Sequence, residues 1–129
     1  MSDRIDNRLP AMSLAVVGIG YANADGSSRK ANIERMRPGD PIELVPEPGN
    51  EHDPYAVAVF DAKSRQLGYL SAERAPWIGS LIRTGRELTV VFQGVAQTGA
   101  WARVAFDGEE PVVPAIDEPE EDMEADWGC

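Results

Sequence analysis

Residues 47–60 read EPGNEHDPYAVAVF, and the way this stretch divides decides the fold. Its first eight residues hold two prolines, a glycine, an asparagine and the Glu51-His52-Asp53 cluster. Pro and Gly preset turn geometry, while Asn and Asp bond back to their own backbone, so a tight loop is expected. Residues 56–60 (AVAVF) are small, branched or aromatic, and read as a strand that can be covered on both faces. A dense loop feeding a buried strand is also where binding residues collect. The chain's only histidine, His52, lies here.

Short β segments continue on both sides. Residues 13–21 (SLAVVGIGY) are apolar with two glycines, which suits a buried strand that bends or lets another backbone approach closely. Arg37-Pro38-Gly39-Asp40 signals a turn into residues 41–45 (PIELV), where Ile42 and Leu44 alternate with Pro41 and Glu43. Residues 62–65 form a polar turn, and residues 66–70 (QLGYL) continue as a hairpin partner. Residues 87–96 and 101–106 (WARVAF) flank Gln97-Thr98-Gly99-Ala100, a further hairpin signal.

Two segments have helical character. Residues 72–84 (AERAPWIGSLIRT) follow Ser71 as N-cap, with Glu73 in the first turn, Pro76 early and Gly85 as terminator. Ala75, Ile78, Leu81 and Ile82 form its apolar stripe. Residues 27–36 (SSRKANIERM) form a shorter helix with Ile33 and Met36 inward. Trp77 and Trp101 are expected in or near the core. The fold class is mainly β with two short helices, as a small β-barrel or strongly bent sheet.

A chain of 129 residues with 43% hydrophobic content supports one modest core. No run of about 18 apolar residues spans a bilayer, and no signal-peptide core is present, so a cytoplasmic location without membrane contact is expected. Cys129, the lone cysteine, leaves no internal disulfide framework and no cysteine-based zinc site. Residues 1–106 hold 12 acidic and 12 basic side chains, so all of the net charge of -10 sits in residues 107–129. That segment has 10 acids, no base and three prolines, and reads as a disordered acidic tail. The expected organisation is an N-terminal extension (1–12), a folded domain (13–106) and the tail (107–129). The tail has three readings: a solubility appendage, a nucleic-acid mimic folding back on the domain, and a docking peptide anchored by Trp127.

Catalytic motifs are missing. There is no G-x-x-x-x-G-K-[ST] phosphate loop, no nucleophile elbow and no cysteine-histidine pair, and the carboxylates before the tail are scattered. His52 between Glu51 and Asp53 fits a hydrogen-bonding turn better than a metal site, because adjacent residues of an extended loop point in different directions. No enzyme, metal or cofactor is expected.

The runs GDPIELVPEPGNEHDPYAVAVF (39–60) and QLGYLSAERAPWIGSLI (66–82) resemble the HIRAN domain family. The matching positions come in order: Gly39-Asp40, Glu47-Pro48, Asn50, Asp53, Ala56 and Gly68-Tyr69, with the opening strand VVGIGY before them. The resemblance implies a barrel similar to an oligonucleotide-binding fold and a DNA-binding role. Family members occur attached to DNA-translocating ATPases and nucleases, or alone, and some grip the 3′ end of single-stranded DNA. By the same resemblance the pocket would use Gly20 and Tyr21 at the end of the first strand, Asn50, His52 and Asp53 in the loop, and Tyr69. Gly20 stands where DNA binders of the family can carry arginine. His52 would stack on a base, and Asp53 would accept from a terminal 3′-hydroxyl. Partners would be single-stranded DNA or DNA 3′ ends, and a helicase, nuclease or other repair protein.

Physical chemistry alone supplies part of that inventory. Single-strand binding needs flat side chains for base faces and cations for the backbone. Arg29, Lys30, Arg35 and Arg37 around the short helix, with Arg74 at the later one, are the candidate phosphate contacts, against the plain reading of a solvated face. With a neutral domain, the expected affinity is weak and its salt dependence shallow. The alternative is a protein-interaction adaptor that keeps the scaffold without binding DNA.

Overall fold

The computed structural model describes residues 9–97 and 99–114, so most of the N-terminal extension and residues 115–129 of the tail, with Trp127 and Cys129, lie outside the described residues. In chain order the elements are β1 (Met12–Val17), α1 (Arg29–Glu34), β2 (Pro41–Pro46), β3 (Val57–Asp61), β4 (Gln66–Leu70), α2 (Ala75–Arg83), β5 (Leu88–Ala96) and β6 (Gly99–Phe106). The strands are antiparallel and close into a barrel in the order β1-β4-β3-β2-β5-β6, with β6 returning to β1. Closure leaves no long unpaired sheet edge. The expected mainly β barrel with two short helices is therefore present. No helix among the described residues is long and apolar enough to cross a membrane.

Two glycines let the barrel close. A side chain at Gly68 on β4 would collide with the Val17 carbonyl of β1, and one at Gly99 on β6 with the Val16 carbonyl. The interior is filled by Leu14, Val16, Val57, Val59, Leu67, Val90, Phe92, Val104 and Phe106, joined by Ile33 from α1 and Ile78 from α2. Side chains of this size each gain about 1.5–3 kcal/mol on full burial. Val57, Ala58 and Val59 are all buried, as the apolar run predicts, because α2 packs over β3.

The β3–β4 hairpin is locked by a buried acid. Asp61, only 3% exposed, accepts the Lys63 and Arg65 amides at 2.9 and 2.8 Å and the Arg65 Nε at 2.8 Å. Burial pushes its carboxyl up, but these hydrogen bonds and the Arg65 charge outweigh that and hold it below the ordinary carboxylate range.

Several boundaries differ from expectation for local reasons. β1 stops at Val17 rather than residue 21, because Gly18 takes a φ of 77° and its carbonyl accepts the Tyr21 amide in a turn. Gly20 and Tyr21 thus follow the strand instead of ending it. α2 begins at Ala75 rather than residue 72, since the Ser71 carbonyl takes both the Arg74 and Ala75 amides at 3.0 Å. Ser71 is not its N-cap, a position held by Arg74 without a side-chain bond. α1 is shorter than the expected span but capped as its sequence suggests, Ser28 accepting the Ala31 amide at 3.1 Å. Trp77 packs on Phe106 with ring centroids 6.1 Å apart. Trp101 instead faces outward at 40% exposure.

Candidate functional site

A cleft of about 630 Å³ opens between the end of β1, the start of α1, the β2–β3 loop and β4. Tyr21, Asn50, His52, Asp53 and Tyr69 all line it, together with Arg29. Residues separated by up to 48 positions in the chain thus share one concavity. Gly20 does not line it: it sits in the turn beside the mouth, where an added Cβ would meet no atom within 4 Å. Lys30, Arg35, Arg37 and Arg74 lie elsewhere. Arg35 faces a smaller groove with Lys63 and Arg65, so the basic cluster seen in the sequence is divided between two sides of α1.

The loop wall is built by Asn50. Its Oδ1 accepts the His52 and Asp53 amides at 2.8 and 3.1 Å, while its Nδ2 donates to Glu47 Oε1 at 3.0 Å. The same Glu47 oxygen accepts the Tyr69 hydroxyl at 2.9 Å. One carboxylate therefore ties the loop to β4 across the cleft. Asp53 Oδ1 accepts the Tyr55 amide at 2.8 Å, the self-capping turn that Asp before Pro favours. Its second oxygen carries no hydrogen bond among the described residues.

Arg29 supplies the cleft's positive charge, in a fixed pose. Its Nε donates to Asn23 Oδ1 at 2.7 Å and its Nη1 to the Gly18 carbonyl at 2.9 Å. The guanidinium carbon lies 5.3 Å from the centre of the Tyr69 ring, within cation–π range. Asn23, itself nearly buried, donates to Ser27 Oγ and the Gln66 carbonyl, anchoring the assembly to β4. Arg29 orients Tyr69 as well as facing the cleft.

Sequence reasoning missed two residues here. Glu47 reads as part of a turn, and nothing local marks its bond to Tyr69. Trp101 reads as core, yet alternation along β6 could have placed it: Ala100, Ala102 and Val104 are buried, which turns Trp101 and the polar Arg103 outward together. Trp101 pairs with Ala15, two residues from the cleft-lining Val17, which sets its indole on the same outward face next along β1. Tyr21 at 72% and Tyr55 at 56% exposure add further free aromatic surface. Among the described residues no group of three or more His, Cys, Asp or Glu could hold a metal ion.

A family model described as the HIRAN domain matches residues 11–107. The crystal structure of the HIRAN domain of human HLTF is similar in fold, with a TM-score of 0.60 at 18% identity over 74% of each chain. A crystal structure of a protein from Lactobacillus plantarum gives 0.57 at 22% identity, covering 74% of this chain and 97% of that one. No curated protein matches the sequence.

Proposed function

The chain belongs to the HIRAN domain family, whose members are DNA-binding modules, and from that premise we propose that it is a non-catalytic module that binds single-stranded DNA by its 3′ end. The observation that carries this reading is the convergence of Tyr21, His52 and Tyr69 with the carboxylate of Asp53 in one cleft. Flat side chains suit base faces, each stack being worth about 1–3 kcal/mol. Asp53 accepts from a terminal hydroxyl and repels a terminal phosphate, so the cleft favours a free end over an interior linkage. Arg29 meets one phosphate or base edge. The role follows from the ligand: a module holding DNA ends serves replication or repair beside a helicase, nuclease or other repair protein that supplies the chemistry.

The test is fluorescence anisotropy with short single-stranded DNA at low salt, comparing a free 3′-hydroxyl with a 3′-phosphate. Binding at least tenfold tighter to the hydroxyl end supports the reading. Equal binding to both removes end recognition, and absence of binding removes DNA as the ligand.

The apolar rim favours one second reading, a protein-interaction adaptor on the HIRAN scaffold. Val17 and Tyr21 line the cleft and are exposed, Trp101 is exposed beside Ala15 on the neighbouring strand, and a single arginine lines the cleft. A chain that ignores DNA in the assay above is assigned to this class.

A further inference from the structure

Arg103 is a cation whose surroundings do not account for it. It stands on the outward face of β6 opposite Ser13 of β1, one outward position beyond Trp101. Its Nη1 donates to Ser13 Oγ at 3.0 Å, and the Ser13 hydroxyl in turn donates to Gln93 Oε1 at 2.6 Å. Both neighbours are neutral. Among the described residues no carboxylate pairs with Arg103, and its Nε is buried without an acceptor. The buried Nε lies out of a ligand's reach; what calls for an explanation is a half-buried guanidinium with no anionic partner, a costly arrangement in a native fold.

Three other arginines on the barrel are already engaged. Arg29 is held by Asn23, Gly18 and the Tyr69 ring, Arg65 pairs with Asp61 at 2.8 Å, and Arg86 with Asp107 at 2.7 Å. Arg103 is aimed by the Ser13–Gln93 relay yet left without an anion. Its position matters as much as its charge. The outward residues of β1 run from Val17, which lines the cleft, through Ala15 beside Trp101, to Ser13 beside Arg103. Four residues of strand cover about 13 Å. At a stacked rise of about 3.4 Å per nucleotide that is three or four steps, and fewer in an unstacked strand.

We propose that Arg103 binds a backbone phosphate of the DNA strand whose end occupies the cleft. The ridge from Val17 through Trp101 is the track the strand follows: the indole offers a base platform and the guanidinium receives the phosphate beyond it. This rests on the DNA reading above and adds to it a second point of attachment, outside the end pocket. It also supplies a cation that the turn at Gly20 lacks.

The experiment uses the full chain and 5′-labelled oligothymidylates of two and six nucleotides with free 3′ ends. Arg103→Gln should leave dinucleotide affinity within about twofold and weaken the hexanucleotide several-fold at low salt. It should also lower the slope of log affinity against log salt by about 0.7, the share of one phosphate on a single strand. Arg103→Lys should keep the slope, which a purely structural role would not require. Equal loss on both lengths, no loss on either, or an unchanged slope in the Gln variant overturns the proposal. Failure of the wild type to bind any oligonucleotide is a failure of the DNA reading, and a second measurement then decides. Inorganic pyrophosphate is titrated while the Arg103 Nε–Hε resonance is followed by NMR. Movement of that resonance without movement of Arg29 upholds a phosphate site, and a static resonance overturns it.

Discussion

The Tyr69 hydroxyl donates to Glu47 Oε1 at 2.9 Å across 22 residues of chain, and the same oxygen holds the side chain of Asn50. A β-strand and a loop that face each other over the cleft are thereby made one unit. Because Asn50 in turn fixes the His52 and Asp53 amides, the loop depends on a hydroxyl it does not contain.

Tyr69→Phe should therefore act at a distance. Losing one partly buried hydrogen bond costs about 0.5–1.5 kcal/mol. The His52 and Asp53 amides should exchange with deuterium several-fold faster than in the wild type, whereas amides of the β5–β6 hairpin should be unchanged. Glu47→Ala should reproduce the effect, and Glu47→Gln, which keeps a carbonyl acceptor, should restore most of the protection. Unaltered exchange at residues 52 and 53 in both Tyr69→Phe and Glu47→Ala contradicts the coupling.

Asp61 gives the fold its acid sensitivity at the β3–β4 hairpin. Its folded-state carboxyl is held below the ordinary value of 3.8, so its contribution is fully present above that value and is lost as pH falls through the lower, folded one. Asp61→Asn should lower stability by about 1–3 kcal/mol near neutrality, because two amides and a guanidinium lose a charged acceptor. The gap between variant and wild type should narrow below about pH 4. Urea unfolding at pH 7 and pH 3 measures it, and a gap of equal size at both values argues against an ionised Asp61 as the lock.

The barrel was legible because its signals are local. The turn residues before Val57, the apolar run of β3 and the hairpin signal before Trp101 each specify an element without reference to the rest of the chain. Boundaries failed where a carbonyl made a choice that side chains do not announce, as at Ser71, whose backbone oxygen takes two amides and delays α2. In the cleft, the resemblance to the HIRAN family brought Tyr21, Asn50, His52, Asp53 and Tyr69 to attention, and geometry places all five on one wall system. What neither periodicity nor motif could give is the partner of each. Arg29 was one basic residue among several in the sequence, and only the fold shows that it sits against Tyr69 while Arg35 turns the other way.

Asp53→Asn tests the end-reading chemistry directly. One Asp53 oxygen already serves the Tyr55 amide, and an asparagine carbonyl can keep that bond. The turn should survive, with the melting temperature little changed. Discrimination between a 3′-hydroxyl and a 3′-phosphate should fall from tenfold or more to about threefold or less, since the charge that repels phosphate is gone. Retention of full discrimination in the folded variant would move the end-sensing role away from Asp53.

Gly20 offers a gain of function. Its backbone is not left-handed, and a Cβ there meets nothing within 4 Å, so a long side chain can be added without strain or collision. The turn it occupies leads into Tyr21 at the cleft, which places a new guanidinium beside the phosphates of a bound strand. Gly20→Arg should tighten single-strand binding roughly twofold to fivefold at low salt, as expected for one exposed ion pair. The salt slope should steepen by about 0.7. Gly20→Glu should weaken binding by a similar factor, because the same geometry then presents an anion. Anisotropy titrations at three salt concentrations separate these outcomes: opposite shifts in the two variants place the backbone along this turn, and identical behaviour in both means the strand enters the cleft from another side.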